Sequence, residues 1–143
     1  MSPIEREEMS SGECWRRIRS ATIGRIAYVD DRTGIEVFPV NFVVDRGSIV
    51  LRTAQGTKLT GLAARPEVVF EVDGGDPADS TAWCVIARGS AESIEVHDEI
   101  VDAFDLDLRT WHGAAKPFFV RVVPSSVEGH HMSVDDPSAT SDT

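Results

Sequence analysis

"IEVFPVNFVVDRGSIVLRTA", residues 35–54, decides the fold. Two apolar stretches rich in β-branched residues flank Arg46-Gly47-Ser48, and a tight turn between two such runs reads as an antiparallel hairpin. Pro39 interrupts the first strand. Proline has no N–H for a sheet ladder, so this part of the strand belongs at an edge or a bulge, where backbone groups are free to meet another molecule. Upstream, "IGRIAYVD" (23–30) alternates apolar and polar residues, and "DRTG" (31–34) turns it into the hairpin.

The same reading extends in both directions. "EVVFEVD" (67–73) is a strand, "GGDPADST" (74–81) a turn-rich loop, and "AWCVIARGSAESIEV" (82–96) a long strand bent at Gly89. "PFFVRVVP" (117–124) is the last strand. Helical patterns are few. In "SSGECWRRIRSAT" (10–22), Ser10 and Glu13 have capping-box spacing and Cys14, Trp15 and Ile18 share one face, with Trp15 as a core anchor. A short helix runs over about Lys58–Ala64 and stops at Arg65-Pro66; "HDEIVDAFDLDL" (97–108) is another, followed by the polar loop "RTWHGAAK" (109–116). Six or more strands in hairpin order, without regular crossover helices, exclude a doubly wound parallel sheet. A small closed or half-closed barrel hides that many edges. Residues 1–132 form a single domain and the polar, acidic residues 133–143 a disordered tail.

Composition narrows the function. The 143 residues carry a formal charge of −10, which argues against nucleic-acid binding through phosphate neutralisation. No apolar run approaches the ~20 residues of a membrane helix, and "MSPIEREEMS" lacks the basic start and apolar middle of a secretory signal. The expectation is a cytoplasmic protein with no membrane partner. Cys14 and Cys84 lack metal-type spacing. His130 and His131 are adjacent, so on a strand they face opposite ways, which is poor geometry for one metal. No metal site is expected.

"LRTAQGTKLTGL" (51–62) places one of the two lysines, Lys58, where a strand gives way to a helix. Free backbone N–H groups, the Thr57 hydroxyl, the Lys58 ammonium and a helix N-terminus together suit a phosphate. Alternatively, Thr57 simply caps the helix and Lys58 is solvated, although a first-turn lysine opposes the helix dipole.

The order "PVNFVVD", "RTAQGTKL", "RPEVVFEVD" and a Trp-initiated strand ending in "RG" resembles the pyridoxamine 5'-phosphate oxidase-like family. The likeness is to its short bacterial branch, related to nitroimidazole reductases. That resemblance implies a mainly β, antiparallel, Greek-key-like split β-barrel with short helices. It also implies a homodimer holding flavin mononucleotide (FMN) at the subunit interface. By the same resemblance, Arg52, Thr53, Thr57 and Lys58 hold the flavin phosphate, and Val40 and Asn41 lie beside the ring. Trp83 and Cys84 approach from the other subunit. Trp111 either covers the flavin or closes the core. Here Thr57 precedes Lys58 where the full oxidase has an Arg-Lys pair, and "GHHM" (129–132) replaces a basic end, so vitamin B6 itself is not the expected substrate. The implied activity is hydride transfer at flavin N5 with a small organic substrate, with His112 as the proton donor. The alternatives are a deazaflavin-dependent reductase and a non-catalytic flavin- or haem-binding protein.

Overall fold

A computed structural model describes residues 6–54, 65–94 and 117–133. In chain order the elements are β1 (Arg6–Glu8), α1 (Ser11–Ser20), β2 (Ile23–Asp30), β3 (Gly34–Asp45), β4 (Ser48–Ala54), β5 (Glu67–Asp76), β6 (Thr81–Ser93) and β7 (Pro117–Ser133). The strands follow one another in space as β1-β7-β4-β3-β2-β5-β6, and β6 pairs back onto β7. All pairings are antiparallel, so β2 to β7 close a split β-barrel, with β1 appended to the end of β7.

Local chemistry fixes each connection. The Ser10 hydroxyl accepts a hydrogen bond from the Glu13 N–H at 3.2 Å, the N-cap that the capping-box spacing anticipated. In the β2–β3 turn the Asp30 carboxylate accepts from the N–H groups of Arg32 and Thr33, at 2.8 and 3.2 Å. Arg46 and Gly47 join β3 to β4 with φ of 52° and 72°, the two positive values that a two-residue turn matched to strand twist requires. A 3₁₀ turn, Pro77–Asp79, joins β5 to β6, capped by the Asp76 carboxylate on the Ala78 N–H at 2.9 Å.

The core lies inside the barrel. Ile26, Phe42, Ile49, Leu51, Phe70, Val72, Val85, Val120 and Val122 are buried there, and α1 adds Cys14 and Ile18 from one face, with Trp15 packed alongside. Phe42 and Phe70 meet edge to face at 4.8 Å between ring centroids.

Three features differ from the sequence expectation. β1 is an additional strand, pairing Arg6, Glu7 and Glu8 with Met132, His131 and His130. β5 continues through Gly74-Gly75-Asp76 because β6 stays in register with it to Thr81. β7 does not stop at Pro124; it runs to Ser133, one residue into the expected tail, held by β6 throughout. The expected bend at Gly89 is a bulge between Arg88 and Gly89, where the β6–β7 register shifts. The expected helices over Lys58–Ala64 and residues 97–108 lie outside the described residues. No helix among the described residues is long and apolar enough to cross a membrane.

Candidate ligand-binding cleft

β3 changes partners along its length. Gly34 to Asn41 pair with β2, whereas Asn41 to Asp45 pair with β4, so only Asn41 faces both neighbours. Where β2 leaves, the α1–β2 connection comes alongside the freed half of β3. An open cleft of about 450 Å³ results, with apolar walls from Ala21, Phe42, Val43 and Val44. Among the described residues its polar lining consists of Arg19, Thr22, Asn41 and Arg52. Two guanidiniums, an amide and a hydroxyl form a donor-rich set, and none of these lining groups is a carboxylate. In a chain of charge −10, that is a local reversal of sign suited to an anion-bearing ligand.

Strand alternation sets which side chains can serve the cleft. Val40 and Phe42 are buried, so Asn41 between them turns to the outer face, directly opposite Arg52 on β4. Val50 and Phe119 form a small apolar cluster on that outer face, with Val43 and Ile94 packed against it. Arg121 donates to the Asp45 carboxylate at 3.0 Å and also contacts the Ser48 hydroxyl, tying the β3–β4 turn to β7. The Arg19 guanidinium lies over the Trp15 ring, 5.8 Å from its centroid.

Of the residues singled out from sequence, Asn41 and Arg52 are brought together. The Val40 side chain belongs to the barrel core, which leaves its backbone as the part nearest the outer face. Thr53 continues β4 opposite Phe118. Trp83 and Cys84 lie on β6, away from this cleft. The Trp83 ring occupies the space over Gly74, where an added Cβ would come within 2.8 Å of it, and carries the Arg17 guanidinium at 4.9 Å. Cys84 stands opposite Asp73 and His130; burial, then the Glu71 and Asp73 carboxylates, push its thiol up. Thr57, Lys58, Trp111 and His112 lie outside the described residues. Arg19 and Thr22 were missed. The one available signal was the four-residue spacing of Trp15 and Arg19, which on a helix stacks one side chain over the other.

A second polar group sits on the outer face of β2 and β5. Arg25 donates to Glu71 at 3.2 Å and to Asp73 at 2.9 Å. Burial, then the hydrogen bond and charge of Asp73, push the Glu71 carboxyl up to about 7 despite Arg25. On β7, His131 meets the Glu13 carboxylate of α1 at 2.6 Å, while neighbouring His130 stands opposite Cys84.

Comparison with known proteins sets this geometry in context. A Corynebacterium glutamicum protein assigned as a pyridoxamine 5'-phosphate oxidase is 35% identical, with a TM-score of 0.69 over 92% of this chain and 100% of its own. A FAD-binding protein from Mycobacterium smegmatis is 33% identical, with a TM-score of 0.69 over 90% of this chain and 100% of its own. A Bacteroides thetaiotaomicron protein assigned to 5-nitroimidazole antibiotic resistance shares the fold at 16% identity, with a TM-score of 0.70 over 92% of this chain and 90% of its own. A sequence model of the pyridoxamine 5'-phosphate oxidase family matches residues 10–131. The chain belongs to that family.

Proposed function

We propose that this protein is a flavin-dependent oxidoreductase that holds FMN in the cleft beside Asn41 and Arg52 and acts on a small organic molecule. The observation that carries this reading is the pairing of Asn41 with Arg52 across β3 and β4, in a cleft whose polar lining among the described residues is two guanidiniums, an amide and a hydroxyl. A phosphate needs cationic and N–H donors, which Arg19, Arg52, Thr22 and Asn41 offer; a ring system needs apolar contact, which Phe42, Val43 and Val44 offer. The residues present fit the group. The FAD-binding protein of M. smegmatis supports a flavin rather than another phosphorylated ring.

A bound flavin supplies hydride exchange at N5, and the protein then has to position and shield it. In this reading Arg52 holds the phosphate end, and Thr53, Thr57 and Lys58, its neighbours in sequence, complete that grip. Asn41 and the backbone at Val40 orient the ring, while Val43 and Val44 exclude water. His112 is the proposed proton donor. In this reading the protein acts as a homodimer, and Ile23, Ile35 and Val37, exposed by 59%, 78% and 58% on β2 and β3, support it as apolar surface for a second subunit to cover. Trp83 and Cys84 then approach the ring from the second subunit, with Trp111 closing over it.

The test is to add FMN to the purified protein, desalt it, and record the absorption spectrum. Retention near one flavin per subunit, with reduction by a nicotinamide donor, supports the proposal. A colourless protein overturns it, and retention without turnover reduces it to a flavin-binding protein.

A further inference from the structure

We propose that Arg19, stacked on Trp15 at the end of α1, is a second phosphate-reading residue of the cleft. The inference rests on the flavin reading and adds a contact from α1 to those proposed around Arg52. Arg19 lines the same cleft as Arg52, alongside Thr22. Trp15 is half-buried and packed against the core, so it is a fixed plate. A guanidinium resting on that plate keeps its planar fork oriented and loses less freedom on meeting an anion than a solvated lysine would.

A cation in the last turn of a helix also complements the helix dipole, and α1 has Arg17 as well as Arg19 there. That role alone affects helix stability and is indifferent to the ligand's charge, so the two explanations separate cleanly.

The experiment measures FMN and riboflavin affinities side by side, by flavin fluorescence, for wild type, Arg19→Ala and Arg19→Lys. The two ligands differ only in the phosphate. Expected for Arg19→Ala is an FMN affinity reduced about tenfold or more, with riboflavin affinity unchanged. Arg19→Lys, which keeps the charge and loses the fork, falls between. The Arg19→Ala protein also shows a shallower loss of FMN affinity with added salt, because one screened charge pair is gone. Equal loss for both ligands, or no loss for either, overturns the proposal while leaving flavin binding standing. A wild-type protein that binds neither ligand overturns the flavin reading and this proposal together.

Discussion

Gly89 on β6 lies directly against the carbonyl oxygen of Val123 on β7: a Cβ at Gly89 would sit 2.1 Å from it and 2.8 Å from the Pro124 Cα. The contact is backbone to backbone, at the bulge where Arg88 faces Ser126 and Gly89 faces Pro124, leaving Ser125 as the extra residue. The Ser125 hydroxyl donates to the Arg88 carbonyl at 3.0 Å and fixes that geometry. Neither strand can yield without disturbing the closure of the barrel.

Gly89→Ala should therefore lower unfolding free energy by at least about 1–3 kcal/mol, the cost of overpacking a site that cannot relax. Gly12 in α1 is the control, because a Cβ there would meet nothing within 4 Å. Gly12→Ala should stabilise by up to about 1 kcal/mol through helix propensity. Urea unfolding of both variants checks the pair. Similar effects would mean that the bulge is not a rigid point.

Tyr28 offers a stabilising substitution. It is 3% exposed and packs edge to face on Phe38, with ring centroids 5.7 Å apart. Its hydroxyl is buried with no hydrogen-bond partner among the described residues. Tyr28→Phe keeps the ring contact and removes a desolvated polar group, so unfolding free energy should rise by about 1 kcal/mol. A loss of that size in chemical denaturation would show that the hydroxyl has a partner in the folded protein.

The Glu71 carboxyl predicts how stability varies with pH. Its ordinary value of 4.5 is pushed up to about 7, first by burial and then by Asp73. A carboxyl with a raised folded value holds its proton in the native state after the unfolded chain has released it. The native state then binds more protons, and stability falls as pH rises from about 4.5 to about 7. Below that window the contribution is fully present. The thermal midpoint of Glu71→Gln should depend less on pH across the same interval than that of wild type. Parallel curves for the two proteins would remove Glu71 as the source.

Much of this architecture was legible in sequence because local chemistry and barrel closure agree. Arg46-Gly47 supplies the positive φ values of the β3–β4 turn, and Ser10 with Glu13 marks the start of α1. Gly89 marks the bend in β6. β1 was not legible, since three exposed residues, Arg-Glu-Glu, carry no alternation and are strand only because β7 offers them an edge. The same holds for the end of β7: "SSVEGHHMS" (125–133) is polar, and its pairing with β6 fixes its conformation. At the cleft, Arg52 and Asn41 were singled out through the family resemblance of "RTAQGTKL" and "PVNFVVD". Beyond the four-residue spacing of Trp15 and Arg19, nothing marked Arg19 or Thr22, because their place depends on where α1 docks, a long-range outcome of burying Cys14 and Ile18.

Asn41 and Arg52 face one another across β3 and β4, yet they should fail differently when replaced. In the flavin reading Arg52 meets the phosphate and Asn41 the polar edge of the ring. Asn41 is on the outer face, away from the barrel core, so its truncation should leave the ligand-free protein within about 0.5 kcal/mol of wild type. Arg52→Ala should weaken FMN by about 1.5–3 kcal/mol, the value of a charged hydrogen bond, and leave riboflavin affinity nearly untouched. Asn41→Ala should weaken both ligands alike, by about 0.5–1.5 kcal/mol, since neutral hydrogen bonds to the ring are common to them. Thermal shift gives a second readout. Ligand at about 100 times its Kd stabilises wild type by about 2.7 kcal/mol, and the same FMN concentration should stabilise Arg52→Ala measurably less. If Arg52→Ala lost riboflavin as strongly as FMN, the assignment of phosphate and ring ends within the cleft would have to be reversed.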